Sequence, residues 1–129
     1  DWLKPGQSVV IKPALNSAHS FPFTASPASC AALVRMCLER GAKKVTVADE
    51  TGFEHTMFRQ WKTGHFSGFA KDLTIKSFKR TGIYAAVRGV ADELGAADRV
   101  HVTTFREHGW RRHELGTGGG RRGSGSFAL

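Results

Sequence analysis

Apolar and polar positions fall in blocks of two different periods along this chain. Val9-Val10-Ile11 is an unbroken β-branched run that follows the opening turn Leu3-Lys4-Pro5-Gly6-Gln7. Such a run is the pattern of a strand buried on both faces, and Pro13 ends it. Residues 14–25 read as a loop punctuated by Phe21-Pro22-Phe23. The period then becomes helical. Ser26 is a favourable N-cap, and Pro27 takes the first helical position, where its missing N–H costs nothing. Cys30, Leu33, Val34, Cys37 and Leu38 recur on one face, and Gly41 supplies the stop. Val45-Thr46-Val47-Ala48 predicts a second strand. The stretch between the two strands is long enough for a parallel, right-handed crossover.

Beyond Gly52 the pattern weakens. Residues 56–63 suit a short helix, and residues 64–80 have no clean period and read as an ordered loop. Trp61, Phe66, Phe69 and Phe78 make this middle stretch aromatic, as expected of residues covering a sheet. Ile83 to Leu94 predicts a further helix, with Ile83, Ala86, Val87, Val90, Ala91 and Leu94 on one face and Gly95 after it. Val100-His101-Val102-Thr103-Thr104-Phe105 is β-branched and alternating, hence a third strand. The order strand–helix–strand–helix–strand predicts an α/β fold. Its sheet is short and mostly parallel with flanking helices, half of a doubly wound, Rossmann-like unit and an incomplete domain. Such a half-sheet leaves an edge and a face uncovered, so aggregation of the isolated chain is expected.

Composition refines the boundaries. The 129 residues suffice for one modest domain, and 40% hydrophobic with 23% charged is ordinary for a globular chain. Six of the fifteen glycines lie in the last fourteen residues. We therefore divide the chain into an α/β domain at 1–112 and a disordered Gly/Arg/Ser-rich tail at 113–129. The abrupt tail and the start at Asp1 are read as marks of a fragment or of a truncated or frame-shifted gene product. No apolar run is long enough for a membrane span or a signal peptide.

The net charge of +8 raises nucleic acid as a partner. Residues 106–129 hold five arginines against two glutamates, a net +3, which leaves +5 scattered over the other 105 residues. No recognition motif accompanies the charge, so specific nucleic-acid binding is not expected. Cys30 and Cys37, seven residues apart on one helix, have Cα atoms about 10 Å apart. That separation is too wide for a disulfide. Buried free thiols suit a reducing compartment and point to a cytoplasmic location.

Candidate chemistry gathers where the first two strands end. If they are parallel, Lys12 and Asn16 meet Asp49 and Glu50 at the edge where open α/β sheets bind ligands. Lys12 at a strand end suits a phosphate or carboxylate, and Asn16, His19 and Thr24 share its loop. Thr24 and Ser26 open a helix whose N-terminus favours an anion, although plain capping explains Ser26 as well. The ligand-binding candidates are thus Lys12, Asn16, Thr24, Ser26 and Thr51. Asp49, Glu50 and His55 are the metal candidates, since carboxylates at this place hold hard cations such as Mg²⁺. An ion pair between Lys12 and one carboxylate is the structural alternative. His65, His101, His108 and His113 have no partner at ligand spacing, and His101 reads as a packed or edge residue of its strand. No Gly-x-Gly-x-x-Gly, P-loop, nucleophile elbow or zinc-protease helix is present.

The ordered series Val9-Val-Ile-Lys-Pro-Ala-Leu-Asn16, Thr24-Ala-Ser-Pro27, Glu39-Arg-Gly-Ala42, Val45-Thr-Val-Ala-Asp-Glu-Thr-Gly52 with Glu54-His55, Thr81-Gly-Ile83 and Phe105-Arg-Glu-His-Gly-Trp110 resembles the family called domain of unknown function 362. The resemblance covers roughly residues 3 to 112. Where the family often has Lys-Pro-Asn, this chain has Lys12-Pro13-Ala14, with Asn16 two positions on, and after Trp110 the family pattern is lost. Members are typically much longer, which implies that this chain is their N-terminal part. Some carry a ferredoxin-like segment with clustered cysteines, which implies an iron–sulfur, redox-linked association. With only two cysteines here, such a cluster would have to come from a missing C-terminal part.

Three functions follow as expectations. The first is a redox-linked or metal- and anion-binding domain with Lys12, Asn16, Asp49, Glu50 and His55 around its ligand, a divalent cation or a small anion. The second is a cluster-free enzyme on a small anionic substrate, with Asp49 or Glu50 as acid or base and Lys12 as anchor. The third is a non-catalytic module whose basic surface meets an acidic partner.

Overall fold

Pairing of the three β-branched runs is parallel throughout. In a computed structural model of the chain, which describes residues 2–50 and 69–105, β1 (Ser8–Ile11), β2 (Lys44–Asp49) and β3 (Val100–Thr104) form one sheet in the order β1-β2-β3. The register sets Val9 beside Val45 and Ile11 beside Val47, then Val45 beside Val100 and Val47 beside Val102. Side chains alternate along a strand, so this register lays six branched apolar side chains on one face.

Among the described residues, three helices lie between the strands: α1 (Pro27–Glu39), α2 (Phe69–Arg80) and α3 (Ile83–Glu93). The expected cap of α1 is present. Ser26 is extended, and its hydroxyl accepts the Ser29 N–H at 3.4 Å, with Pro27 opening the helix. Gly41 closes α1 at φ +81°. Its N–H donates to Leu38 O at 3.0 Å, and its carbonyl accepts the Gly6 N–H at 2.8 Å, which ties down the opening turn. α2 stops where the Thr81 hydroxyl donates to Ser77 O at 2.8 Å and to Phe78 O at 3.2 Å.

Because both crossovers step the sheet in the same direction, α1 and α3 cover the same face and pack against each other. The core there joins Cys30, Val34 and Cys37 of α1, Ile83, Val87 and Ala91 of α3, and Val45, Val47 and Val100 of the sheet. Leu15 from the first loop and Phe78 from α2 complete it, both fully buried. Full burial of each such side chain stabilises the fold by roughly 1.5–3 kcal/mol. Outside this core, Arg35 of α1 pairs with Glu93 of α3.

The structure corrects three expectations. Residues 69–80 are helical, not loop. The buried positions Leu73, Thr74, Ser77 and Phe78 do have helical spacing. Two of the four are small and polar, which hides the apolar period. Leu33 stands outside the buried face of α1, 45% exposed. The Val9–Ile11 run is covered on one face only: Val10 is 64% exposed, and Lys44 and His101 on the same side of the sheet are exposed too. A continuous apolar run permits two buried faces without requiring them. Cover on that side is uneven, because Ala48 and Thr103 further along it are buried. Residues 56–63, Trp61, Phe66, the Phe69 side chain and the tail from 113 lie outside what is described. Among the described residues no helix is long and apolar enough to cross a membrane.

Candidate functional site

The C-terminal ends of β1 and β2 meet as the two strand-end motifs predict. Asp49 is the last residue of β2 and lies on the same strand face as Val45 and Val47, hence toward the core. It is 3% exposed. A buried carboxylate needs partners, and Asp49 has one for each oxygen. Oδ2 accepts the Leu15 N–H at 2.8 Å, and Oδ1 stands 3.0 Å from Lys12 Nζ. One side chain thereby fixes the first loop at two points, drawing Leu15 into the core and holding the ammonium that ends β1.

The rest of the loop closes on itself. Ala25 N–H donates to Ala14 O at 2.9 Å, Phe23 N–H to Ser20 O at 3.2 Å, and the Thr24 hydroxyl to His19 O at 3.0 Å. The Ala25–Ala14 bond brings the start of α1 beside the end of β1. His19 is exposed and rests against the Phe23 ring, with centroids 6.0 Å apart. Phe21 and Phe23 project into solvent from the same loop.

Among the candidate residues, Lys12 and Asp49 are brought into direct contact. Asn16 is exposed in the loop they pin, Thr24 is buried and closes that loop, and Ser26 caps α1. Glu50 is half-buried just beyond β2. Thr51 and His55 lie outside the described residues. Among those described, no three His, Cys, Asp or Glu side chains gather where they could share a metal ion.

Leu15 is the partner that residue-type reasoning missed, because its role is played by a backbone N–H. The available signal was a lone leucine in the first loop, four residues after Ile11, the last residue of β1.

An iron–sulfur cluster does not fit the cysteines of these 129 residues. Cys30 and Cys37 are the only two. Both are buried free thiols in the α1 core. Burial pushes both thiols up, which disfavours the thiolate that iron requires.

A family model described as "Domain of unknown function (DUF362)" matches residues 9–117. The match covers well over half of the chain and runs past Trp110 to residue 117, beyond the stretch that the sequence pattern alone marks out. No curated protein and no solved structure matches the chain.

Proposed function

Since this chain belongs to the DUF362 family, we propose that its β1–β2 edge is a small-anion site in which Lys12 contacts the ligand and Asp49 positions Lys12. The observation that carries this is the asymmetry of the pair. Asp49 is 4% exposed at the side chain, whereas Lys12 remains 61% exposed while held at 3.0 Å. An ammonium has three N–H donors. One faces Asp49, and the exposure of the side chain leaves the others accessible to solvent or a ligand. Asp49 shares its charge with the Leu15 N–H, so it orients the ammonium without fully cancelling it. The start of α1, tied to the same loop, adds a positive dipole end of roughly half a charge. Exposed Asn16, in the same loop, would add a neutral donor.

A cation is the less favoured ligand, because a metal on Asp49 must compete with Lys12 at Oδ1 or with the Leu15 N–H at Oδ2. The assignment is one of binding and names no reaction.

Thermal unfolding with added inorganic phosphate or with Mg²⁺ separates these ligands. The account expects phosphate to raise Tm with an apparent Kd of about 1 mM, equivalent to ~4 kcal/mol, and Lys12→Gln to remove the effect. Stabilisation by Mg²⁺ that Asp49→Asn abolishes, with no response to phosphate, would replace the anion by a metal.

A further inference from the structure

A second concavity lies along β3, away from the Lys12–Asp49 edge. It encloses about 270 Å³ and is lined by Lys44, Tyr84, Arg88, His101, Val102 and Thr103, together with Val100. Lys44 is the first residue of β2 and Asp49 the last. At the rise of an extended strand they are separated by about 16 Å, so the Lys44 end of the hollow is distinct from the Asp49 edge, while Thr103, paired with Ala48, carries its other end along β3.

We propose that this cleft binds a phosphate monoester with a small carbon skeleton. Its basic groups come from three elements: Lys44 from β2, Arg88 from α3 and His101 from β3. A solvated charge run would lie along a single element, whereas these converge on one hollow. Arg88 is held in place before any ligand arrives, because its Nη1 donates to Ala97 O and to Val100 O, both at 3.0 Å. Among the described residues Asp92 pairs with it, 3.7 Å from Nη2 and well exposed, so this pair offsets the guanidinium charge only weakly. Lys79, outside the lining, stands with Nζ 5.4 Å from the centre of the Tyr84 ring. Among the described residues no acidic side chain lines the hollow.

These features select a multiply charged oxyanion. The volume sets its size. Small-molecule sites span roughly 300–1,000 Å³, and this hollow falls just below that range. It suits a phosphate on about three carbons, with the half-buried Tyr84 ring as the apolar wall, and is too small for a nucleotide.

The test is a ¹⁵N–¹H NMR titration of the whole chain with glycerol phosphate, with inorganic phosphate, and with sodium chloride at matched ionic strength. Lys44→Gln and His101→Gln are the variants, since both side chains are exposed. Arg88 is left intact because it supports two carbonyls. Saturable shifts at residues 84–88 and 100–103 are expected, stronger with glycerol phosphate than with inorganic phosphate. Each variant should weaken binding about fivefold with unchanged Tm, and Lys12→Gln should leave these shifts alone. Equal affinity for the two phosphates overturns the claim for a carbon skeleton. Shifts confined to residues 12–16, shifts reproduced by chloride, or binding insensitive to Lys44→Gln and His101→Gln overturn the site itself. Because Lys12→Gln is run in parallel, failure here is distinguishable from failure of the Lys12 site.

Discussion

Asp49 shows how one buried carboxylate does two things of unequal energetic weight. Its bond to the Leu15 N–H is buried, and an orphaned buried N–H costs about 1–3 kcal/mol. Its pair with Lys12 has one partner in solvent, and such pairs contribute about 0–1 kcal/mol. Urea denaturation should therefore rank the variants. Asp49→Ala should lose about 2–3 kcal/mol, Asp49→Asn about 1 kcal/mol because its amide oxygen still accepts the N–H, and Lys12→Gln less than 1 kcal/mol. A Lys12→Gln loss as large as that of Asp49→Ala would show that the charge pair, not the N–H bond, supports the loop. The thiols give a pH dependence at the same scale. Burial raises both above their ordinary value in the folded chain. Below the ordinary thiol range, about 8.5, both states keep their protons and this contribution to stability is complete. Above it the unfolded chain ionises first, so stability falls as pH rises toward the folded values. Unfolding free energy measured from pH 7 to 10 should fall less steeply in a Cys30→Ala/Cys37→Ala double variant than in the native chain.

At the scale of elements, the ends are set by single residues. Gly41 and Gly95 both have positive φ, +81° and +59°, but their surroundings differ. A Cβ at Gly95 meets nothing within 4 Å, whereas one at Gly41 comes 3.2 Å from Pro5 Cβ. Gly95→Ala should cost about 1 kcal/mol from backbone strain alone. Gly41→Ala should cost about 2 kcal/mol or more, because the opening turn must also shift. Equal losses in denaturant would mean that Pro5 yields freely. Elements with a strong local signal were legible in the sequence. The Ser26-Pro27 start, the Gly41 stop and the β-branched runs at Val45 and Val100 each state their structure locally, and all are found. Helix α2 was not legible, because Thr74 and Ser77 supply half of its buried positions. Their hydroxyls make the face look polar. The contact between Lys12 and Asp49 followed from parallel pairing alone. The Leu15 bond and the convergence of Lys44, Arg88 and His101 did not, because both depend on register and backbone placement that no residue type announces.

At the scale of the whole molecule, the described residues bury one face of a three-stranded sheet and leave Val10, Lys44 and His101 exposed on the other, where Ala48 and Thr103 are buried. Val10, 64% exposed on an outer strand, is the position most apt to seed edge-to-edge association. Val10→Lys should leave unfolding free energy within about 0.5 kcal/mol of the native chain. It should also reduce the aggregated fraction in size-exclusion chromatography. A native chain that is wholly monomeric would contradict the link between exposed Val10 and association. The proposed anion site lies at the sheet's C-terminal edge, where Asp49 holds Lys12 and the Leu15 amide together. The most direct test of this arrangement is the NMR signal of the Leu15 amide during titration with inorganic phosphate. The account predicts a saturable shift of that signal, lost in Lys12→Gln. A Leu15 signal that stays still in the native chain, or moves equally in Lys12→Gln, would contradict it.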